Sequence, residues 1–259
     1  LRLLEIIGYR LAQFLSQPSS RAVRLATCEP EQLAKALRKG DVLLVEGSSR
    51  ISTAIKYLTQ STWSHAALCV ADGQGAAADE LLEADVLEGV RVVPLSTYWN
   101  LHTRICRPVG LSAEEIDALV AHAVSRVGHH YDLQNIIDLT RYLIRTPPVP
   151  ARWRRRMLAL GSGDPTRAIC SSLIAQAFQS VRYPILPERL VAESKDPECL
   201  DCYDEILHIR HHSLFAPRDF DISPYFRIIK PVVHNGFDPH TLTWSSDIAE
   251  IAEQESTKT

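Results

Sequence analysis

No uninterrupted apolar run in these 259 residues approaches the roughly 18 that a membrane-spanning helix needs. Charge of one sign is missing too. The chain has 28 Lys and Arg against 31 Asp and Glu, a net of −3, which gives no electrostatic ground for a nucleic-acid partner. Six cysteines in a chain this long make no disulfide framework. Cys69 in AALCVA and Cys106 in RICRPV read as small buried hydrophobes, and the compartment reads as reducing. The opening stretch LRLLEIIGYRLAQFL is broken by Glu5 and Arg10, which a secretory h-region does not carry. The chain opens on Leu1 rather than Met, which leaves room for a trimmed upstream segment. The expected location is cytoplasmic, with association at a membrane surface as the alternative. Gly161 to Asp164 lacks the lysine and the preceding strand of a phosphate loop. There is no internal repeat and no linker that splits the chain.

What is there suits a folded α+β protein, with 46% apolar and 23% charged residues. Leu3, Leu4, Ile7, Leu11, Phe14 and Leu15 recur at helical spacing, so residues 1–28 read as an amphipathic helix and connector. That helix packs on the domain or lies on a lipid surface. Residues 29–233 read as the folded domain and 234–259 as a polar tail. Within the domain, EPEQLAKALRKG predicts a helix stopped by Gly40, DVLLVEG a buried strand and ISTAIKYLTQ a helix. HAALCVA, LLEAD and GVRVVPL follow as short strands of one antiparallel sheet. LSAEEIDALVAHAVSRVG opens with a capping box from Ser112 to Glu115. Helices are also predicted over 132–144 and 152–160, and CSSLIAQAFQS is a core helix. ILPERL, SLFAPRDF and PYFRIIKPV suggest loops and one returning strand.

Cys170 stands in the first turn of that core helix. A free thiol has a pKa of about 8.5, and a helix N-terminus or an imidazolium lowers it into the range of a useful nucleophile. Unpaired amides at the helix head would also stabilise an oxyanion. The flanking Ser171 and Ser172 are small and polar, compatible with an accessible site, and Ser171 is placed to assist substrate or oxyanion binding. Position alone leaves a buried structural cysteine equally open. His65 stands at the mouth of a strand and Glu83, flanked by apolar residues, lies on the next. A carboxylate beside an imidazole fixes its tautomer and favours its charged form, so the three satisfy the outline of a Cys–His–Glu triad. A strand-end histidine that merely caps the core is the plainer alternative.

These residues resemble a known group. GDVLLVEGSSRISTAIKYLTQSTWSHAALCV is similar to the first half of the permuted papain-fold cysteine hydrolases of the YiiX/YebB-like group. Those are relatives of bacterial NlpC-type peptidases and of lecithin–retinol acyltransferase-like proteins. In the unpermuted pattern a tyrosine motif comes first, then the cysteine, then the histidine; here the order is His65, Glu83, Tyr131, Cys170. The resemblance implies a circularly permuted papain-like fold, with an antiparallel sheet packed against the nucleophile helix. It implies catalysis by Cys170, His65 and Glu83 through a thioester, and a substrate or oxyanion contact from Tyr131 in GHHYD. The reaction expected is amide or ester hydrolysis, or acyl transfer, on a lipid, peptide or other small-molecule substrate. The alternative is a lipid- or ligand-binding protein that keeps the fold without turnover. Two departures stand out: Ser172 where the helix motif often has glutamate, and His130 where proline often precedes the tyrosine.

Arg152, Arg154, Arg155 and Arg156 form a basic helix face, either solvated or set against a lipid surface. Cys199 and Cys202 with His208, His211 and His212 contain the ligand types of a zinc site, but no second cysteine pair accompanies them. Neither metal nor cofactor is expected. His122, His129 and His130 read as solvated. The sequence leaves the oligomeric state open.

Overall fold

The computed structural model describes residues 28–71, 80–85, 87–129, 169–193, 203–208, 211–212 and 215–231, with positions 10, 13–14 and 16–17 near the start. Tyr131, the helices expected over 132–144 and 152–160, the Cys199–Cys202 pair and the 234–259 tail lie outside the described residues, as does most of the first helix.

The frame is a six-stranded antiparallel sheet. In chain order its strands are β1 (Val42–Val45), β2 (His65–Cys69), β3 (Glu80–Asp85), β4 (Gly89–Pro94), β5 (Thr103–Pro108) and, far downstream, β8 (Phe226–Ile229). Across the sheet the order is β4-β3-β2-β1-β5-β8. A separate hairpin pairs β6 (Glu188–Glu193) with β7 (Tyr203–His208). The helices are α1 (Pro30–Ala36), α2 (Arg50–Thr59), α3 (Ala113–Val124), α4 (Ile169–Ser180) and α5 (Pro217–Asp221), with a short 3-10 turn at Leu95–Tyr98.

Side chains alternate across a strand, so β1 feeds two cores. Val42 and Leu44 join Ala66, Leu68, Leu82 and Ala84 on the face covered by Leu119 and Ala123 of α3 and by Leu173, Ile174 and Phe178 of α4. Leu43 and Val45 join Ala67, Cys69 and Leu81 on the other, covered by Leu33 of α1, Leu37 just past its end, Leu95 and Tyr98. All four β1 residues are buried, which is why DVLLVEG reads as a continuous apolar run. Beneath α4, the rings of Phe178, Tyr183, Phe220 and Phe226 meet tilted or edge-on at 5.1–6.2 Å.

The capping box at Ser112 and Glu115 forms as the sequence predicts. Four expectations need correction. Gly40 does not stop α1, which ends at Ala36; Gly40 takes φ +84 and donates to Cys69 O, opening the β1–β2 ladder. The loop readings downstream give way to strand β6 and helix α5. Ser171 and Ser172 are buried rather than accessible. His122 is half-buried rather than fully solvated: its Nε2 is shielded and makes no hydrogen bond among the described residues.

Candidate active site

The β2–β3 ladder is short. Leu68 pairs with Leu82 and Cys69 with Leu81, and the paired register stops there. Amides of β2 alternate between neighbours: Cys69 donates to Asp41 O on the β1 side and Val70 to Glu80 O on the β3 side. By that alternation the Ala66 amide faces β3. Instead it lies near the Cys170 sulfur, where it and the Ser171 amide favour the thiolate. The head of α4 therefore enters where β2 and β3 part. His65 and Glu83 stand on the sheet face opposite the α4 contacts, by their parity with Ala67 and Leu81, and the gap lets the sulfur meet the ring.

Cys170, His65 and Glu83 are brought together. The His65 ring lies close enough to the Cys170 sulfur for each to shift the other's protonation strongly. Its Nε2 lies 2.7 Å from Glu83 Oε2, which leaves Nδ1 for the sulfur. Cys170 is 4% exposed and the His65 side chain 22%, so the ring is the more open of the two. Glu83 is 5% exposed and fully occupied. Its Oε2 accepts from His65 and from the Tyr98 hydroxyl, and its Oε1 from Arg91 Nε and Nη2 at 2.9 and 2.8 Å.

The electrostatics follow from this packing. Burial works against charge on Glu83, but His65, Tyr98 and Arg91 outweigh it and bring the carboxyl to about 2. Burial likewise disfavours an imidazolium. The Cys170 sulfur and the Glu83 carboxylate overcome that cost and raise His65 to about 10. Burial pushes the Cys170 thiol up; the His65 charge and hydrogen bond, with the Ala66 and Ser171 amides, bring it below its ordinary value. The arrangement favours a thiolate–imidazolium pair. Cys106, by contrast, is buried without a basic partner at its sulfur and is pushed well above the ordinary thiol range, so it is inert.

Ser171 directs its hydroxyl away from the sulfur, donating to Phe215 O at 2.8 Å, and offers the site its amide. Tyr131 lies outside the described residues. Two contributors escaped the sequence reading. Arg91 is legible in retrospect, because the hairpin closed by Gly89 sets Glu83 opposite Arg91, an opposite-charge cross-strand pair. Tyr98 has no such signal in STYWN. Among the described residues, no group of three or more His, Cys, Asp or Glu side chains is placed to hold a metal ion. No described helix is long and apolar enough to cross a membrane.

Residues 36–142 match the model of a family described as permuted papain-like amidase enzymes, YaeF/YiiX, C92 family. The matched span contains His65, Glu83, Arg91, Tyr98 and Tyr131 and stops short of Cys170. Compared with curated proteins, the chain has no match. Among solved structures it is similar to one described as metalloprotein YiiX from Escherichia coli O157:H7. The two are 16% identical, with a TM-score of 0.45, over 75% of this chain and 97% of that one. With its antiparallel sheet, its histidine strand ahead of its cysteine helix and a family match that spans much of the sheet, the chain carries a permuted papain-like α+β fold, and over residues 36–142 it is similar to the YaeF/YiiX family.

Proposed function

We propose that the chain is a thiol hydrolase, an amidase in the first instance, working through an acyl group carried on Cys170. The observation that supports this most is His65 held 2.7 Å from a buried carboxylate that also accepts from Tyr98 and Arg91, with the Cys170 sulfur beside the ring. The Cys170 thiolate attacks an amide or ester carbonyl carbon, and the carbonyl π electrons move to oxygen. Amides at the α4 head are the donors nearest that oxyanion. As it collapses, the carbon–nitrogen or carbon–oxygen bond breaks, and His65 gives its proton to the departing amine or alcohol. His65, now neutral, takes a proton from water, whose oxygen attacks the thioester. The carboxylic acid leaves and the thiolate–imidazolium pair returns. An amine or alcohol in place of water would make the same acyl-enzyme a transferase.

The family description points to amides. The basic run at Arg152, Arg154, Arg155 and Arg156 supports a lipid or membrane-proximal acyl donor over a free polar one. The test is intact-mass analysis after incubation with N-acyl amides, separately from lipid and from peptide sources. An acyl adduct on Cys170 that turns over in the wild type and is absent in Cys170→Ala is expected. Ligand binding with no adduct and no released acid from any acyl donor would replace this reading with that of a non-catalytic binding protein.

A further inference from the structure

We propose that Tyr98 is a positioning residue of the site: its hydroxyl holds Glu83 Oε2 against His65 Nε2, so that the ring keeps Nδ1 turned to the Cys170 sulfur. This rests on the thiol-hydrolase reading above and adds to it a residue from outside the triad.

The geometry is a closed triangle. Glu83 Oε2 is 2.7 Å from His65 Nε2, the Tyr98 hydroxyl donates to that same oxygen, and Tyr98 Oη stands 3.2 Å from Nε2. A carboxylate only accepts, so the Tyr98 proton belongs to Glu83, and the Nε2 proton is shared between Glu83 and the phenol oxygen. That sharing requires Nε2 to be protonated, which fixes the tautomer. Tyr98 cannot drift from this post. It is 4% exposed, closes the 3-10 turn Leu95–Tyr98 and packs with Leu95 in the core that carries Leu43 and Val45. Burial and the neighbouring Glu83 charge push the phenol well above its ordinary value, so it remains a donor across the working range. The opposite carboxylate oxygen is drawn toward Arg91, itself shared with Glu88 and Asp85 on the β3–β4 hairpin. Without the phenol, Oε2 has one donor while Oε1 keeps its bonds to Arg91, and nothing sets the carboxylate's rotation toward the ring. Among the described residues, the charged or titratable groups facing His65 are Glu83 from β3, Arg91 behind it on β4, Tyr98 from the turn and Cys170 from α4.

Tyr98→Phe keeps the ring that fills the core and removes only the hydroxyl. The readout is the rate of Cys170 alkylation by iodoacetamide against pH, which needs no knowledge of the natural substrate. In the wild type the rate inflects below the free-thiol value. In Tyr98→Phe the inflection moves up by about half a unit, which slows alkylation on the acid side about threefold. The His65 Nε2 proton, far downfield and slow to exchange in the wild-type NMR spectrum, moves upfield and exchanges faster in the variant. A wild-type hydroxyl proton on Tyr98 that is protected from exchange supports the inference even if the variant fails to fold, and a rapidly exchanging one overturns it. An identical inflection and identical ring resonance in the two proteins overturn it as well. A wild-type inflection at the free-thiol value instead sinks the thiol-hydrolase reading on which it stands.

Discussion

Glu83→Gln is nearly isosteric, and it fails for a reason that the hydrogen bonds spell out. The carboxylate accepts on both oxygens: His65 and Tyr98 on one, Arg91 twice on the other. A glutamine has one accepting oxygen and one donating nitrogen. Facing Arg91 with its oxygen, it points N–H at His65 Nε2 and forces the ring into the opposite tautomer, with the proton on the nitrogen that should serve the sulfur. Facing His65 with its oxygen, it sets N–H against the guanidinium. The stability consequence can be signed. Glu83 falls from 4.5 to about 2 on folding, so its stabilisation is complete above about pH 4.5 and is lost as pH falls through about 2. At about 1.4 kcal/mol per unit, that is on the order of 3 kcal/mol at neutral pH. Denaturant titrations of wild type and Glu83→Gln from pH 7 to pH 2 should show the wild type more stable by about that amount above pH 5 and the two curves converging in acid. Turnover should fall by roughly four orders of magnitude, as when an orienting carboxylate is replaced by its amide in a triad. Parallel stability curves, or a variant within threefold of wild-type activity, would refute the reasoning.

Two structural predictions concern the two ends of β1. A Cβ on Gly47 would overlap Ser52 Oγ and come within 3.0 Å of Ser64 Oγ, which accepts from the Gly47 amide beside His65. Gly47→Ala should therefore cost about 1–3 kcal/mol in denaturant unfolding, through overpacking. Arg107 neutralises Asp41, which is 1% exposed, with bonds of 2.7 and 2.8 Å. Arg107→Met strands that carboxylate and should cost about 3–5 kcal/mol, whereas the Arg107→Met, Asp41→Leu pair should recover much of it. A double variant no more stable than the single one would contradict the assignment.

The sheet was legible where its chemistry is plain. The apolar run of β1, the pattern of HAALCVA and the hairpin around Gly89 each announce a strand, and the family of strands they form is antiparallel. β5 was not, because TRICRP places two arginines and a terminal proline around Ile105 and Cys106. Its arginines are spent inward, Arg107 on Asp41 and Arg104 on Asp221. β6 hides for a similar reason, since ERLVAE carries charge at both ends and pairs only within its own hairpin. At the site, the positions of Cys170 at a helix head and of His65 and Glu83 on successive strands can be read from spacing. Their meeting cannot. It depends on β2 and β3 being parted ahead of Leu68, a tertiary event that leaves the Ala66 amide beside the sulfur rather than in the ladder to β3. Tyr98 is illegible for the same reason: a turn residue becomes part of the site only because the turn folds back beneath Glu83.

The thiolate state of Cys170 tests the central claim most directly, through the ultraviolet absorbance difference between wild type and Cys170→Ala followed from pH 4 to pH 11. The expected result is an inflection below the free-thiol value of about 8.5 in the wild type and above it in a His65→Ala background, where burial acts with the imidazolium gone. A wild-type inflection at or above that value, or one that does not move when His65 is removed, would contradict the pairing of thiolate and imidazolium.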